Sequence, residues 1–191
     1  MLQGGIIVTT FGNLAPYRRD DVFLEAVSVL VSLKLSEPFK VIIFGGAPRH
    51  YAEKLQGLVE KLKIGEIVQF LGYLEPYDAY KYLSVSDIFV MLSSRPDDAG
   101  IGTMSTAVVA AYGAGLPIIG VKGYATDDFF KDGENVLFAK SFQVNDVADA
   151  LCRLIKDRGL RKKLSKGALE IYNNQLQWSN IAKQYIMALA P

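Results

Sequence analysis

The feature that most constrains this chain is its alternation of short apolar runs with segments of helical spacing. Strand-like runs recur at residues 5–11, 40–44, 67–71, 87–92, 116–121 and 135–139. They are largely continuous, as in Ile88-Phe89-Val90-Met91 and Ile118-Ile119, and this predicts strands buried on both faces. Strands alternating with helices predict crossover connections in a parallel sheet. The expectation is one α/β domain over residues 1–191, a doubly wound, Rossmann-like parallel sheet of about six strands with helices on both faces.

The intervening segments carry helical stripes. Over residues 21–33, Phe23, Ala26, Val27, Leu30 and Leu33 form an inward stripe that Asp20 or Asp21 can cap. Leu55, Leu58, Val59 and Leu62 mark a second helix ending near Lys63, and a short helix after Glu75-Pro76 carries Tyr77, Tyr80, Tyr82 and Leu83 as packing residues. From residue 145 the pattern is helical to the end, with Val147, Ala150, Leu151 and Leu154 as one stripe, then helices over about 160–173 and 179–189. Trp178, at the start of the last helix, reads as a packing anchor. Asp132-Gly133-Glu134-Asn135 is a tight turn into the last strand.

Residues 95–120 concentrate polar and small residues. A polar loop reaches a helix start near Thr103 rich in hydroxyls, and the helix is closed by Gly115 before a buried strand begun by Pro117. Loops at the carboxyl ends of parallel strands are where such sheets bind ligands.

Composition narrows the classes of function. Half of the 191 residues are apolar and the net charge is +1, with no basic run longer than Arg161-Lys162-Lys163, which argues against nucleic acid as the main partner. A peripheral membrane contact stays compatible with this balance. The single cysteine, Cys152, excludes an internal disulfide and suits a reducing compartment, so the expected location is cytoplasmic. One Cys and one His cannot build a metal cluster of their own, and His50 reads as a solvated residue on the turn after the second strand. The amino terminus lacks a basic region followed by an apolar run, and no apolar run is long enough to span a bilayer. The abrupt start on a strand suggests half of a larger protein.

The common cofactor fingerprints fail on specific residues. Gly100-Ile101-Gly102 continues to Ser105 where a dinucleotide fingerprint needs a third Gly, and it does not follow the first strand. A Walker-type Gly-Lys-Ser/Thr and a nucleophile elbow are both missing. Three loops that tolerate anions remain, over residues 12–19, 45–48 and 100–106. Arg18 or Arg19 can supply positive charge, the glycines bring backbone close to a ligand, and the helix start offers amides and hydroxyls. Together they would suit a diphosphate. Equally, the arginines could be solvated and the glycines could simply turn the chain.

Six pieces then occur in a telling order: Gly12-Asn13-Leu14-Ala15-Pro16-Tyr17-Arg18, Gly45-Gly46-Ala47-Pro48, Phe70-Leu71-Gly72-Tyr73-Leu74, Ser86-Asp87-Ile88-Phe89-Val90, Ala114-Gly115-Leu116-Pro117-Ile118-Ile119 and Asp132-Gly133-Glu134-Asn135. Over nearly its whole length the chain resembles the carboxyl-terminal half of the GT-B retaining glycosyltransferases called group 1. The resemblance implies a nucleotide-sugar donor-binding domain, with an acceptor-binding half preceding it and no cofactor beyond the donor substrate. It implies that Arg18, where the family usually has Lys, neutralises the departing diphosphate, with Gly12 and Gly45 in the turns around it. Asn13 stands where the family usually has Arg. Tyr73 and Leu74 would hold the base, and Gly100, Gly102, Thr103, Ser105 and Thr106 would face the diphosphate and sugar. Cations and helix amides would then do the work of a metal ion. The last helix would pack back across the junction with the other half.

One departure stands out. The family carries two glutamates with seven residues between them, and counting back from Pro117 puts these positions at Gly102 and Ala110. Neither is acidic. Asp97 and Asp98 are candidates to replace the first, and nothing nearby replaces the second, which in the family typically holds the donor ribose. The competing expectation is therefore a catalytically silent GT-B-like domain that serves binding or assembly.

Overall fold

A computed structural model describes residues 5–93, 105–123 and 130–189. Six strands form one sheet: β1 (Ile6–Phe11), β2 (Phe39–Phe44), β3 (Val68–Gly72), β4 (Ile88–Met91), β5 (Ile118–Val121) and β6 (Val136–Ala139). All pairings are parallel, in the order β3-β2-β1-β4-β5-β6. Seven α-helices accompany them among the described residues: α1 (Asp20–Ser32), α2 (Arg49–Leu62), α3 (Pro76–Ser84), α4 (Thr106–Gly113), α5 (Val144–Lys156), α6 (Arg158–Ile171) and α7 (Trp178–Leu189). This is the doubly wound architecture expected from the alternation of elements.

The continuous apolar runs are explained by where successive residues go. Ile88 and Val90 join the core that also takes α1, α2 and α5, whereas Phe89 and Met91 join the second core with α3 and α4. Ile119 and Ile118, and Leu137 and Val136, divide in the same way. Each fully buried side chain of this size contributes about 1.5–3 kcal/mol, and a central strand collects that gain on both faces. β4 is also latched at its start, where Asp87 Oδ2 accepts from the Ile7 amide at 2.9 Å and the Asp87 amide donates to Ile7 O at 2.8 Å.

Helix ends follow local chemistry. α4 starts at Thr106, three residues later than expected, with Ser105 in an extended conformation before it. It closes on Gly115 at φ +69°, with Leu116 N donating to Ala111 O and Gly115 N to Tyr112 O, a Schellman arrangement. α6 is capped by Asp157, whose Oδ1 accepts from the Leu160 amide at 2.8 Å. It runs on into a wide turn over Tyr172–Leu176 before α7.

Several expectations need correcting. Neither Asp20 nor Asp21 caps α1 from outside, because Arg19, in the left-handed region at φ 54°, precedes the helix and both acids lie in its first turn. Tyr77 and Tyr80 are exposed, and only Leu83 of that helix is fully buried, because α3 covers the sheet with one narrow edge. His50 lies in the first turn of α2 and not on the preceding turn, and it is exposed, as its reading as a solvated residue expects. Trp178 is 83% exposed and is no packing anchor among the described residues. Ile186, Met187 and Leu189 of the same helix are exposed with it. No helix among the described residues is long and apolar enough to cross a membrane.

Candidate functional site

The strand order reverses between β1 and β4, and the carboxyl edge at such a reversal is where open parallel sheets bind ligands. The loop after β1 turns at Gly12, whose φ of +130° strongly favours glycine. A single 3₁₀ turn over Pro16–Arg18 then brings Arg18 back beneath the strand end. Its Nη2 donates to Thr10 Oγ1 and to Phe11 O, both at 3.0 Å. A Cβ on Gly12 would sit 3.0 Å from Arg18 Nη1 and 3.9 Å from the Ala107 Cβ. The guanidinium, the β1 turn and the first turn of α4 therefore meet at one point.

The neighbouring loops are fastened to the same turn. Gly12 N donates to Phe44 O at 3.2 Å, Leu14 N to Gly46 O at 2.8 Å and Gly45 N to Gly72 O at 2.8 Å. Gly45, at φ +133°, lies so close that an added Cβ would fall 1.8 Å from Gly12 O. The loops after β1, β2 and β3 thus form one rim held by main-chain bonds. Ser105 is half-buried and Thr106 exposed at the start of α4, where the first amides lack intrahelical acceptors by helix geometry.

Arg18 is only 5% exposed, and loss of hydration pushes its pKa below the ordinary arginine value, against the opposing charges of Asp20, Tyr17 and Tyr51. Asp20 is 2% exposed, and burial raises it to about 6 even though Arg18 pulls the other way. Tyr51 of α2 is also buried, and desolvation followed by the charge of Asp20 raises its phenol. Arg18 Nε, Asp20 Oδ2 and Tyr51 Oη are all buried without a hydrogen-bond partner among the described residues. The sequence alone offers Asp20 only as a cap for α1 and points to no role for Tyr51. A signal for Asp20 was present, since it falls at helical spacing with the buried Phe23, Leu24 and Val27, an acid on the inward stripe.

The two arginines have different surroundings. Arg19 stands over the Phe142 ring at 5.6 Å and faces Asp21 at 3.8 Å, whereas Arg18 lies against Gly12 and next to α4. Asn13 is exposed at the rim, as is Tyr73, and Leu74 packs against the core on the α4 side. Of the other expected site residues, Asp98, Gly100, Gly102 and Thr103 lie outside the described residues, together with Asp97. Ala110, where the resemblance expects a carboxylate, is half-buried on α4. The described residues contain no cluster of three or more His, Cys, Asp and Glu suited to a metal ion.

A parallel sheet with a strand-order reversal, glycine turns drawn together at its carboxyl edge and a buried arginine beside the start of α4 define a Rossmann-like domain. The particular family follows from sequence: the profile of the group 1 glycosyl transferases matches residues 3–170, and the chain belongs to that family. Among curated relatives, a D-inositol 3-phosphate glycosyltransferase of Corynebacterium aurimucosum is 27% identical over 185 residues, covering 93% of this chain and 41% of the relative. The lipopolysaccharide core biosynthesis glycosyltransferase LpsE of Rhizobium meliloti is 25% identical over 184 residues, covering 96% and 49%. The chain thus spans about two fifths to one half of the length of these relatives.

Solved structures share the fold at low identity. HepE of Anabaena, in complex with UDP, aligns with a TM-score of 0.82 at 17% identity, over 97% of this chain and 49% of HepE. The C-terminal domain of the group 1 glycosyl transferase LpcC from Francisella tularensis aligns with a TM-score of 0.76 at 19% identity, over 91% of this chain and 87% of that domain.

Proposed function

We propose that this chain is the donor-binding part of a retaining group 1 glycosyltransferase, holding a nucleotide-sugar while an acceptor-binding half presents the acceptor. The observation that carries this reading is the buried Arg18 guanidinium, oriented by Thr10 and Phe11 O and set beside Gly12 and the first turn of α4. A diphosphate at the carboxyl edge would meet this cation together with the amides and hydroxyls at Ser105 and Thr106. As the glycosidic bond breaks, negative charge grows on the departing diphosphate, and preorganised donors in a site of low dielectric stabilise that charge most. Cation and helix amides would carry this load without a resident metal. Tyr73 and Leu74, just beyond β3, would receive the base, in line with their place on the rim. HepE, which shares the fold, was solved with UDP and with UDP-glucose, and this guides the choice of ligands to test. The setting we propose is cytoplasmic, with any membrane contact peripheral.

Calorimetry with UDP, GDP and their sugars tests the reading directly. Heat of binding is expected for at least one of them, and no heat with any would sink it. A hydrogen-bonded charge is worth about 1.5–3 kcal/mol, so Arg18→Ala should weaken diphosphate binding about ten- to a hundredfold. Unchanged affinity would remove Arg18 from the site. The alternative of a silent binding or assembly domain draws on Ala110, which offers no carboxylate to a ribose. That alternative predicts nucleotide binding without transfer even when the acceptor half is supplied.

A further inference from the structure

The donor-site reading accounts for Arg18 but gives no role to the buried acid and phenol beside it. Asp20 begins α1 two residues after Arg18, on the inward face of the helix, and Tyr51 reaches the same region from α2. Arg18 and Tyr51 each sense the charges of the other two and Asp20 senses that of Arg18, and each of the three has a buried polar atom without a hydrogen-bond partner among the described residues. Proteins rarely leave such atoms unpaired, because each costs about 1–3 kcal/mol. Three such atoms, one on the Arg18 guanidinium and two beside it, call for a functional explanation.

The surroundings of Asp20 limit what can compensate it. On its own segment it faces Arg18 and Asp21. From α2 it faces Tyr51, while Lys54 is directed elsewhere, to Asp21 at 4.0 Å and over the Tyr51 ring at 5.8 Å. Arg19 also faces Asp21 and bears on Tyr51. The buried residues of α5, packed along α1, are Val147, Ala148, Ala150, Leu151, Leu154 and Ile155, all apolar. Arg18 is therefore the positive charge that opposes the burial of Asp20.

We propose that Asp20 is a positioning residue for the anion site: a buried counter-charge to Arg18 that takes up a proton when an anionic diphosphate docks on the guanidinium. The identity of the ligand rests on the donor-site reading, whereas the coupling between Asp20 and Arg18 does not. In the free protein Arg18 is partly balanced by the Asp20 carboxylate. An arriving diphosphate claims the guanidinium, and a second negative charge behind it becomes unfavourable. A proton from solvent then binds Asp20 at Oδ2, where it displaces no existing hydrogen bond. Binding and protonation favour each other, so affinity falls as pH rises through the titration of Asp20.

The test uses the whole chain with UDP-glucose, whose two phosphates are diesters and do not titrate between about pH 5 and 8. Expected is a dissociation constant that rises about three- to tenfold across that range, with proton uptake seen as a dependence of binding heat on buffer ionisation enthalpy. Asp20→Asn should abolish both the pH slope and the uptake, and Asp20→Glu should restore them. A slope and uptake that persist in Asp20→Asn would overturn the proposal. Carbon-13 NMR of the ligand-free chain provides a separate check. Asp20 should titrate above the ordinary carboxylate range, and higher still in Arg18→Met. Titration in the ordinary range, or no response to Arg18→Met, overturns the proposal whatever the chain binds. If UDP-glucose gives no heat while Asp20 still follows Arg18, the donor reading fails and the coupling stands. Inorganic pyrophosphate then serves as the probe, judged by the difference between the parent chain and Asp20→Asn.

Discussion

Arg18 and Asp20 show how two residues of opposite charge, two positions apart, can acquire properties that neither has in water. Burial outweighs their attraction, so Asp20 titrates near 6 and not in the usual carboxylate range. The sign for stability follows. Between the unfolded value of Asp and about pH 6 the folded state holds the proton and the unfolded chain does not, so stability falls as pH rises through that window. Its full extent is roughly 3 kcal/mol as an upper limit. Denaturant melts of the parent chain and Asp20→Asn should differ in slope between about pH 4 and 6, with the slope reduced in the variant. Parallel pH profiles would remove Asp20 as the cause. Gly45 supports a second prediction at this scale. At φ +133° and with Gly12 O in the way, Gly45→Ala should cost about 2–4 kcal/mol and move the loop after β1. A midpoint within experimental error of the parent would contradict the close approach of these two turns.

Among the elements, α6 and α7 give opposite lessons. α6 lies so close to the turn before β6 that a Cβ at Gly167 would fall 2.3 Å from Glu134 O. Gly167→Ala should therefore destabilise by about 1–3 kcal/mol, although alanine is the better helix former by about 1 kcal/mol. A gain in stability, as propensity alone predicts, would show that the helix can move away. α7 has a sequence suited to packing and yet exposes Trp178, Ile186, Met187 and Leu189. Trp178→Ala should leave the thermal stability of this chain within about 0.5 kcal/mol, because its side chain buries little here. A larger loss would mean that the indole packs against the body of the domain. Under the proposed function this face meets the other half of the enzyme, as the family resemblance implies.

At the scale of the whole molecule, the proposed reading puts the donor at the carboxyl edge where the strand order reverses, between β1 and β4. The 191-residue chain by itself is expected to bind donor and to transfer no sugar. A coupled assay for released nucleoside diphosphate checks this, and turnover above the solvent background would refute it. The sheet itself was legible in the sequence, because burial on both faces leaves continuous apolar runs such as Ile88-Phe89-Val90-Met91, and because helical stripes repeat at their own period. The glycine turns at Gly12, Gly45 and Gly115 were legible too, since positive φ is a local demand that few other residues meet. What only the tertiary structure decided depends on which strands become neighbours. The burial of Arg18 apart from Arg19 comes from a turn folded back under β1, and the burial of Asp20 and Tyr51 comes from α1 and α2 closing over that point. Trp178 reads as a core residue by type and is exposed by position, because burial is a property of what lies opposite a side chain and not of the side chain alone. The sequence by itself thus determined the layers and their turns through local periodicity and backbone conformation, and long-range packing decided which charges share the low-dielectric interior where they acquire their chemistry.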